Sequence, residues 1–160
     1  MITIELTKGK TCIIDNIDID LKEFNWVSRC ASKSIYAYRH ISTPNHRVHM
    51  HRYIMERILN RSLRKGEHVD HIDHNGLNNC RNNLRLANSK ENSYNRRKCI
   101  HSSIYKGVSW NKRDSNWRVR IRIDGKLLSL GGYKNERDAA KAYNDAAIKY
   151  FGEYACLNTL

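Results

Sequence analysis

The stretch NWRVRIRIDGKLLSLGGY, Asn116 to Tyr133, constrains the fold of this chain more than any other. Trp117, Val119, Ile121 and Ile123 alternate with Arg118, Arg120 and Arg122, the period of two that puts apolar and charged side chains on opposite faces of a strand. Asp124-Gly125 then supplies a hairpin turn. YKGVSW upstream reads as a third strand. Downstream, NERDAAKAYNDAAIKYFG repeats Ala139, Ala140, Tyr143, Ala146, Ala147 and Tyr150 at helical spacing, and Gly152 is a stop signal. A three-stranded antiparallel sheet packed on one helix follows, over residues 104–160. Its alanine-rich helix can approach only the apolar face, so the arginine face stays open, and a sheet of this width can enter a major groove.

Charge narrows the partner. The 160 residues hold 29 Lys plus Arg against 16 Asp plus Glu, a formal net charge of +13, so a polyanion is expected. The basic residues are spread among polar ones and no run reaches the ~20 apolar residues of a bilayer span, which favours nucleic acid over a membrane, and double-stranded DNA is the expected partner. MITIELTKGKTCIID lacks the basic-then-apolar layout of a secretory leader, and a cytoplasmic protein is expected. Five cysteines, Cys12, Cys30, Cys80, Cys99 and Cys156, are odd in number and form no Cys-x-x-Cys pair. Free thiols and no structural zinc are the expectation.

Residues 1–46 read as a small β-rich segment: ITIEL alternates, TCIID follows a Lys-Gly-Lys turn, and SIYAYRHI alternates again before Thr43-Pro44-Asn45. Phe24, Trp26 and Val27 are expected beneath this sheet, and Lys33 and Arg39 could graze phosphate. RVHMHRYIMERILN, 47–60, has the three-and-four spacing of an amphipathic helix. His49 and His51, two apart on such a helix, would not share a face, so a joint metal site is not expected. His51 and Arg52 are instead candidates for phosphate contacts, as are Arg96 and Arg97.

HVDHIDHNGLNNCRNNLRLANSKEN, His68 to Asn92, concentrates a different chemistry. HVDH and LRLA suit two short strands, Asn75-Gly76 marks a turn in the loop between them, and Asn88 with Glu91 three residues on is a capping box that starts a helix. This ββα unit, within a module spanning 47–98, places Asp70 and His71 at a strand end and Asn92 in the first turns of the helix. Phosphodiester hydrolysis needs a base for the attacking water and positive charge where negative charge develops. His71 can be the base, because an unperturbed imidazole titrates near ~6.5. Asp70 and Asn92 offer hard oxygen ligands suited to one divalent cation, Mg2+ or Mn2+. Asn83 can tie the loop together through its amide.

Asp70-His71, Asn83-Leu84-Arg85 and Asn92, with HRYIM upstream and the NGLNN turn, resemble the HNH endonuclease motif in the form where asparagine replaces the last histidine, as in phage homing endonucleases. The resemblance implies a ββα-metal fold and single-metal cleavage, with His71 activating water, Asp70 and Asn92 binding the metal and Asn83 bracing the loop. Asn78 and His74 depart from the family pattern, which more often has aspartate and a small residue there. Residues from YKGVSW to YACLN resemble the Apetala-two/ethylene-responsive-factor type DNA-binding domain through the YxGV start, the LGxY strand end, the AAxAYxxAA helix and the final Leu-Asn. That likeness implies that Lys106, Trp110, Arg113, Arg118, Arg120 and Arg122 face DNA. Leu127 and Ser129 replace the arginine and tryptophan usual in the plant domains. The combined expectation is an α+β, metal-dependent, homing-type DNA endonuclease, monomeric by default. The alternative is a DNA-binding regulator that keeps an inert HNH fold.

Overall fold

At the N-terminus, alternation folds as strand pairing. Ile2–Leu6 (β1) and Lys10–Ile14 (β2) run antiparallel, Ile2 opposite Ile14 and Leu6 opposite Lys10, and bury Ile4, Leu6, Cys12 and Ile14 on one face. The computed structural model describes residues 1–31, 34–41, 47–96 and 102–160. Lys33, the Thr43-Pro44-Asn45 break, Arg97 and Cys99 lie outside the described residues. Asn16–Glu23 is 3-10 helical, which the sequence pattern does not announce, and Asp18 within it is fully buried.

Val27–Ala31 (β3), Ser34–His40 (β4) and Arg47–His49 (β5) form an antiparallel sheet in that order. The helix expected over 47–60 therefore starts later than its spacing suggests. Arg47, Val48 and His49 pair with His40, Arg39 and Tyr38, and only Met50–Leu59 (α1) is helical. Completing a ladder satisfies the backbone of these three residues, whereas one more helical turn would add little. Asn60 ends the helix in the left-handed region, its N–H donating to the Arg57 and Glu56 carbonyls. Arg39, expected near phosphate, instead lays its guanidinium over the Phe24 ring at 3.8 Å, with Trp26 and Tyr53 each 5.5 Å away.

His68–His71 (β6) pairs antiparallel with Leu84–Ala87 (β7), and Ser89–Tyr94 (α2) follows. The capping box is formed: Asn88 Oδ1 accepts from the Lys90 and Glu91 N–H groups, and Glu91 Oε2 accepts from the Asn88 N–H at 2.7 Å. The loop between β6 and β7 closes onto the N-terminal hairpin. Ile13 N–H donates to Leu77 O and Asn79 N–H to Ile13 O, both at 2.8 Å. Gly76 abuts β4 so tightly that a Cβ there would lie 2.5 Å from Ile35 O and 2.6 Å from the Tyr36 ring. Only glycine permits that approach.

The described structure is thus mixed α and β with several small antiparallel sheets, and it divides into two compact units, 1–92 and 93–160. The first has one core, in which Ile4, Cys12, Ile14, Leu21 and Trp26 from the N-terminal segment pack with Met50, Ile54, Met55 and Leu84. In the second, Val108–Asn111 (β8), Asn116–Ile123 (β9) and Lys126–Tyr133 (β10) make an antiparallel sheet with β9 central. Asp124 and Gly125 both take positive φ in its hairpin turn. Val119, Ile121 and Val108 pack on Glu136–Phe151 (α3) through Ala139, Ala140, Tyr143 and Ala147. Phe151 rather than Tyr150 completes the helix stripe, Tyr150 being exposed. Asn158 fastens the chain end: its Oδ1 accepts from Lys106 N–H, and its backbone exchanges hydrogen bonds with the Asn144 amide.

A buried ion cluster welds the N-terminal segment to the β6–β7 loop. Both oxygens of Asp18 accept from Arg81, at 2.8 Å each, and Arg57 Nη1 is 3.5 Å from Oδ1. Asp15 Oδ2 also accepts from the Arg81 N–H at 2.7 Å. Arg81→Ala leaves the Asp18 carboxylate buried with only the more distant Arg57. A loss of about 2–4 kcal/mol in urea unfolding is expected, reduced below the full cost of an orphaned charge because Arg57 remains.

Candidate functional site

His71 ends β6 with its ring turned into the first unit. It is 5 % exposed, and its Nε2 lies 3.3 Å from Oδ1 of Asn79, a residue with no exposed surface. The His51 ring meets it edge-on at 5.0 Å between centroids, and Tyr36 lies at 5.8 Å. His49 continues the cluster at 5.4 Å from His51. The expectation that His49 and His51 could not meet fails because a strand end precedes the helix, so helical spacing does not govern the pair. Nδ1 of each is buried and has no hydrogen-bond partner, as is Nδ2 of Asn79. His51, expected to touch phosphate, thus has its Nδ1 covered within this aromatic cluster; Arg52 is half-buried and Arg96 exposed.

Burial sets the protonation of these rings. It lowers the pKa of His71, opposed by the Asn79 hydrogen bond and by the carboxylates of Asp73 and Asp70. His51 is held well below the ordinary imidazole range by burial and then by His71, His49 and Arg52. His49 is lowered by burial and by Arg52, Arg29 and Arg47.

Asp70 and His71 are adjacent and so lie on opposite faces of β6. Asp70 sits directly across from Arg85 in the pairing, and its Oδ2 accepts from Arg85 Nε at 2.9 Å and Nη2 at 2.6 Å. Sequence reasoning missed this partner, although cross-strand register makes it readable once HVDH and LRLA are recognised as neighbours. His68, two residues before Asp70 and on its face, has Nε2 2.9 Å from Ser89 Oγ. Asn92 follows Ser89 by three positions and shares that side of α2.

Asn83 bonds to both sides of the loop. Its Nδ2 donates to Asp73 Oδ1 and to Asn78 O, and its Oδ1 accepts from the Asp73 N–H. Asp73 also accepts from the Asn75 N–H and from Asn78 Nδ2. Burial alone would raise the Asp73 pKa, but these donors prevail and lower it.

On the second unit, Arg118 pairs across the sheet with Ser109 and Gly132, Arg120 with Ser129, and Arg122 with Leu127, so these residues share one face. Arg122 is exposed and anchored, its Nη1 donating to Gly125 O at 2.9 Å; Arg118 and Arg120 are half-buried. Arg113 is exposed and paired with Asp114 at 2.8 Å. Two further expected DNA contacts, Trp110, which is exposed, and Lys106, make contacts within the unit. Trp110 stands opposite Trp117, rings 5.1 Å apart, in the register of the helix-packed face. Lys106 is half-buried, its Nζ donating to Tyr94 O at 2.6 Å, and burial lowers its pKa.

With this geometry in view, the likenesses to known proteins become informative. Residues 48–94 match the family model described as HNH endonuclease, and that stretch carries an HNH domain. The chain is 35% identical over 114 residues to "Uncharacterized HNH endonuclease L560" of Acanthamoeba polyphaga mimivirus, covering 71% of this chain and 59% of that protein. It is 44% identical over 68 residues to "Protein 3.8" of Escherichia phage T7, covering 42% of this chain and 56% of that one. A third likeness, 42% identical over 57 residues, is to "APETALA2-like protein 2" of Oryza sativa subsp. indica, covering 36% of this chain and 13% of that protein. The chain spans little more than half the length of the two viral relatives. No helix among the described residues is long and apolar enough to cross a membrane.

The buried imidazoles make stability sensitive to acid. Their folded pKa values lie below the unfolded value of ~6.5, so under acid conditions the unfolded chain binds protons that the folded chain does not. Stability contributed by the neutral rings is complete above that pH and drains away as pH falls below it, by up to about 1.4 kcal/mol per pH unit for each fully neutral ring. Urea midpoints at neutral and mildly acidic pH should show the fall, and His51→Gln should make it shallower.

Proposed function

We propose that this protein is a metal-dependent, homing-type DNA endonuclease in which residues 47–98 carry the chemistry and residues 104–160 hold duplex DNA. The observation that supports it best is the buried, hydrogen-bonded His71 beside Asp70 in a strand–strand–helix unit within a stretch that matches an HNH endonuclease family model. In this reading neutral His71 takes the proton of the attacking water. Asn83 keeps the loop from shifting the base, through its bonds to Asp73 and Asn78.

The ligands assigned to a hard divalent cation, Mg2+ or Mn2+, are the Asp70 carboxylate and the Asn92 amide oxygen, both of the hard-oxygen type such ions take. Held there, such a cation would supply positive charge to offset the negative charge that develops during phosphodiester cleavage. Arg85 contributes a fixed positive charge next to Asp70. The same ion pair favours a second reading, an inert HNH fold serving a DNA-binding regulator, because a cation would share Asp70 with Arg85.

Nicking of supercoiled plasmid with Mg2+ or Mn2+ decides between them. Wild type should cut while His71→Ala binds DNA normally and does not; absence of cutting by wild type across divalent ions and DNA sequences would favour the regulator.

Arg118, Arg120 and Arg122, with Arg113 at the sheet end, form the proposed DNA surface. Trp110 and Lys106 belong to it only as supports: the first packs on Trp117 and the second ties Tyr94 to the sheet. Arg52, Arg96 and, outside the described residues, Arg97 remain proposed phosphate contacts, with His51 the least accessible of the group. Replacing Arg118, Arg120 and Arg122 together by alanine should weaken duplex binding and lower the slope of log affinity against log salt by about 1 for each phosphate no longer neutralised. Unchanged affinity and slope in a salt titration would remove the sheet from the interface.

A further inference from the structure

Asn79 is a costly residue for its position. It has no exposed surface, and its Nδ2 is buried with no hydrogen-bond partner. Filling this space needs no amide, since an apolar side chain of similar size would remove the unpaired group. What the amide does provide is Oδ1, 3.3 Å from His71 Nε2. The backbone around it is fixed from far away in sequence: Asn79 N–H donates to Ile13 O, and Ile13 N–H to Leu77 O, so strand β2 sets where this oxygen lies.

We infer that Asn79 is the positioning residue of the base: its Oδ1 accepts from His71 Nε2–H, which selects the tautomer with the lone pair on Nδ1 and fixes the ring's direction. The inference rests on the endonuclease reading for its consequence in catalysis. A neutral imidazole carries one proton on two nitrogens, and a partner that only accepts decides which nitrogen keeps it. The His51 edge at 5.0 Å and the Tyr36 ring at 5.8 Å restrict rotation of the His71 ring and preserve the choice. Asn79 does not touch the reacting atoms in this account. It acts through His71, and the unpaired Nδ2 is the stability given up for that service.

Long-range proton–nitrogen spectra of the histidines, recorded on the full chain without metal, read the tautomer directly. Single-turnover cleavage at saturating DNA with Mg2+ reads its consequence. Wild-type His71 should be a single Nε2–H tautomer. Asn79→Ala should show both tautomers and cleave ~10–100-fold more slowly, with DNA affinity unchanged. A merely structural asparagine would leave both the tautomer and the cleavage rate alone, whatever the midpoint does. Should the alanine variant not fold, the wild-type spectrum still decides, because an Nδ1–H tautomer there overturns the inference. Equal tautomer and rate in Asn79→Ala also overturn it while leaving a cutting enzyme. A wild type that cuts no DNA overturns the endonuclease reading, and a single Nε2–H tautomer would still establish what Asn79 does to His71.

Discussion

The first unit depends on satisfying a backbone that has no regular structure of its own. Between β6 and β7 the chain runs from Ile72 to Asn83 with only a short 3-10 turn at its end, and part of that run is buried. Each N–H and C=O removed from water there needs a partner. Side chains supply some: Asp73, Asn75, Asn78 and Asn83 bond to one another and to loop backbone. The loop's own backbone and the edge of β2, through Ile13, supply others, and Asp18 clamps Arg81 at the far end. An asparagine-rich loop without these partners would be a floppy tether, whereas with them it is a rigid bracket.

Rigidity of the bracket matters because of what it holds. A general base works when it is neutral at working pH and points one way. For His71 in its proposed role the first condition is met by burial, which lowers its pKa and lowers those of His51 and His49 as well. The His51 and Tyr36 rings pack against His71 at 5.0 and 5.8 Å and hold it among aromatic neighbours. The arrangement conflicts with stability in acid, where every one of these rings gains by unfolding. Strand β5 makes the cluster possible, since an unbroken helix from Arg47 would separate His49 from His51.

Much of this fold is legible in the residues. Alternation located β1, β2, β4 and β9, Asp124-Gly125 located a hairpin, and the Asn88–Glu91 box located the start of α2. Local signals of this kind depend on neighbours in sequence and can be read without the fold. The 3-10 segment Asn16–Glu23 carries no such signal: its polar residues look like linker, and Asp18 is buried only because Arg81, 63 residues away, meets it. The strand start of Arg47–His49 was equally hidden, since its ladder partner Tyr38–His40 lies across residues that a local window does not span. At the site, chemistry-bearing types at known spacing singled out Asp70, His71, Asn83 and Asn92. Asn79 and Arg85 stand inside the quoted motifs, but their partners His71 and Asp70 come from tertiary placement and are not legible there: one asparagine among several in NGLNNCRNN, one arginine among 29 basic residues.

The arginine face of the second unit shows the same logic in electrostatic form. Arg118, Arg120 and Arg122 stand two residues apart on one strand, about 7 Å from one to the next, and at that spacing neighbouring charges repel by about 0.6 kcal/mol in water. Folding gains nothing from this row. Its apolar counterparts Val119 and Ile121 provide the packing, so the sheet tolerates the repulsion rather than needing it. Among these three, Arg122 is anchored to the Gly125 carbonyl, which shortens its reach and fixes its direction at the hairpin end. Leu127 lies opposite it, exposed on the same face. A row of self-repelling cations held rigid on a sheet gains most from a partner whose negative charges repeat at similar spacing, and a nucleic-acid backbone has that form. In the proposed complex, phosphates set among these arginines would relieve that repulsion.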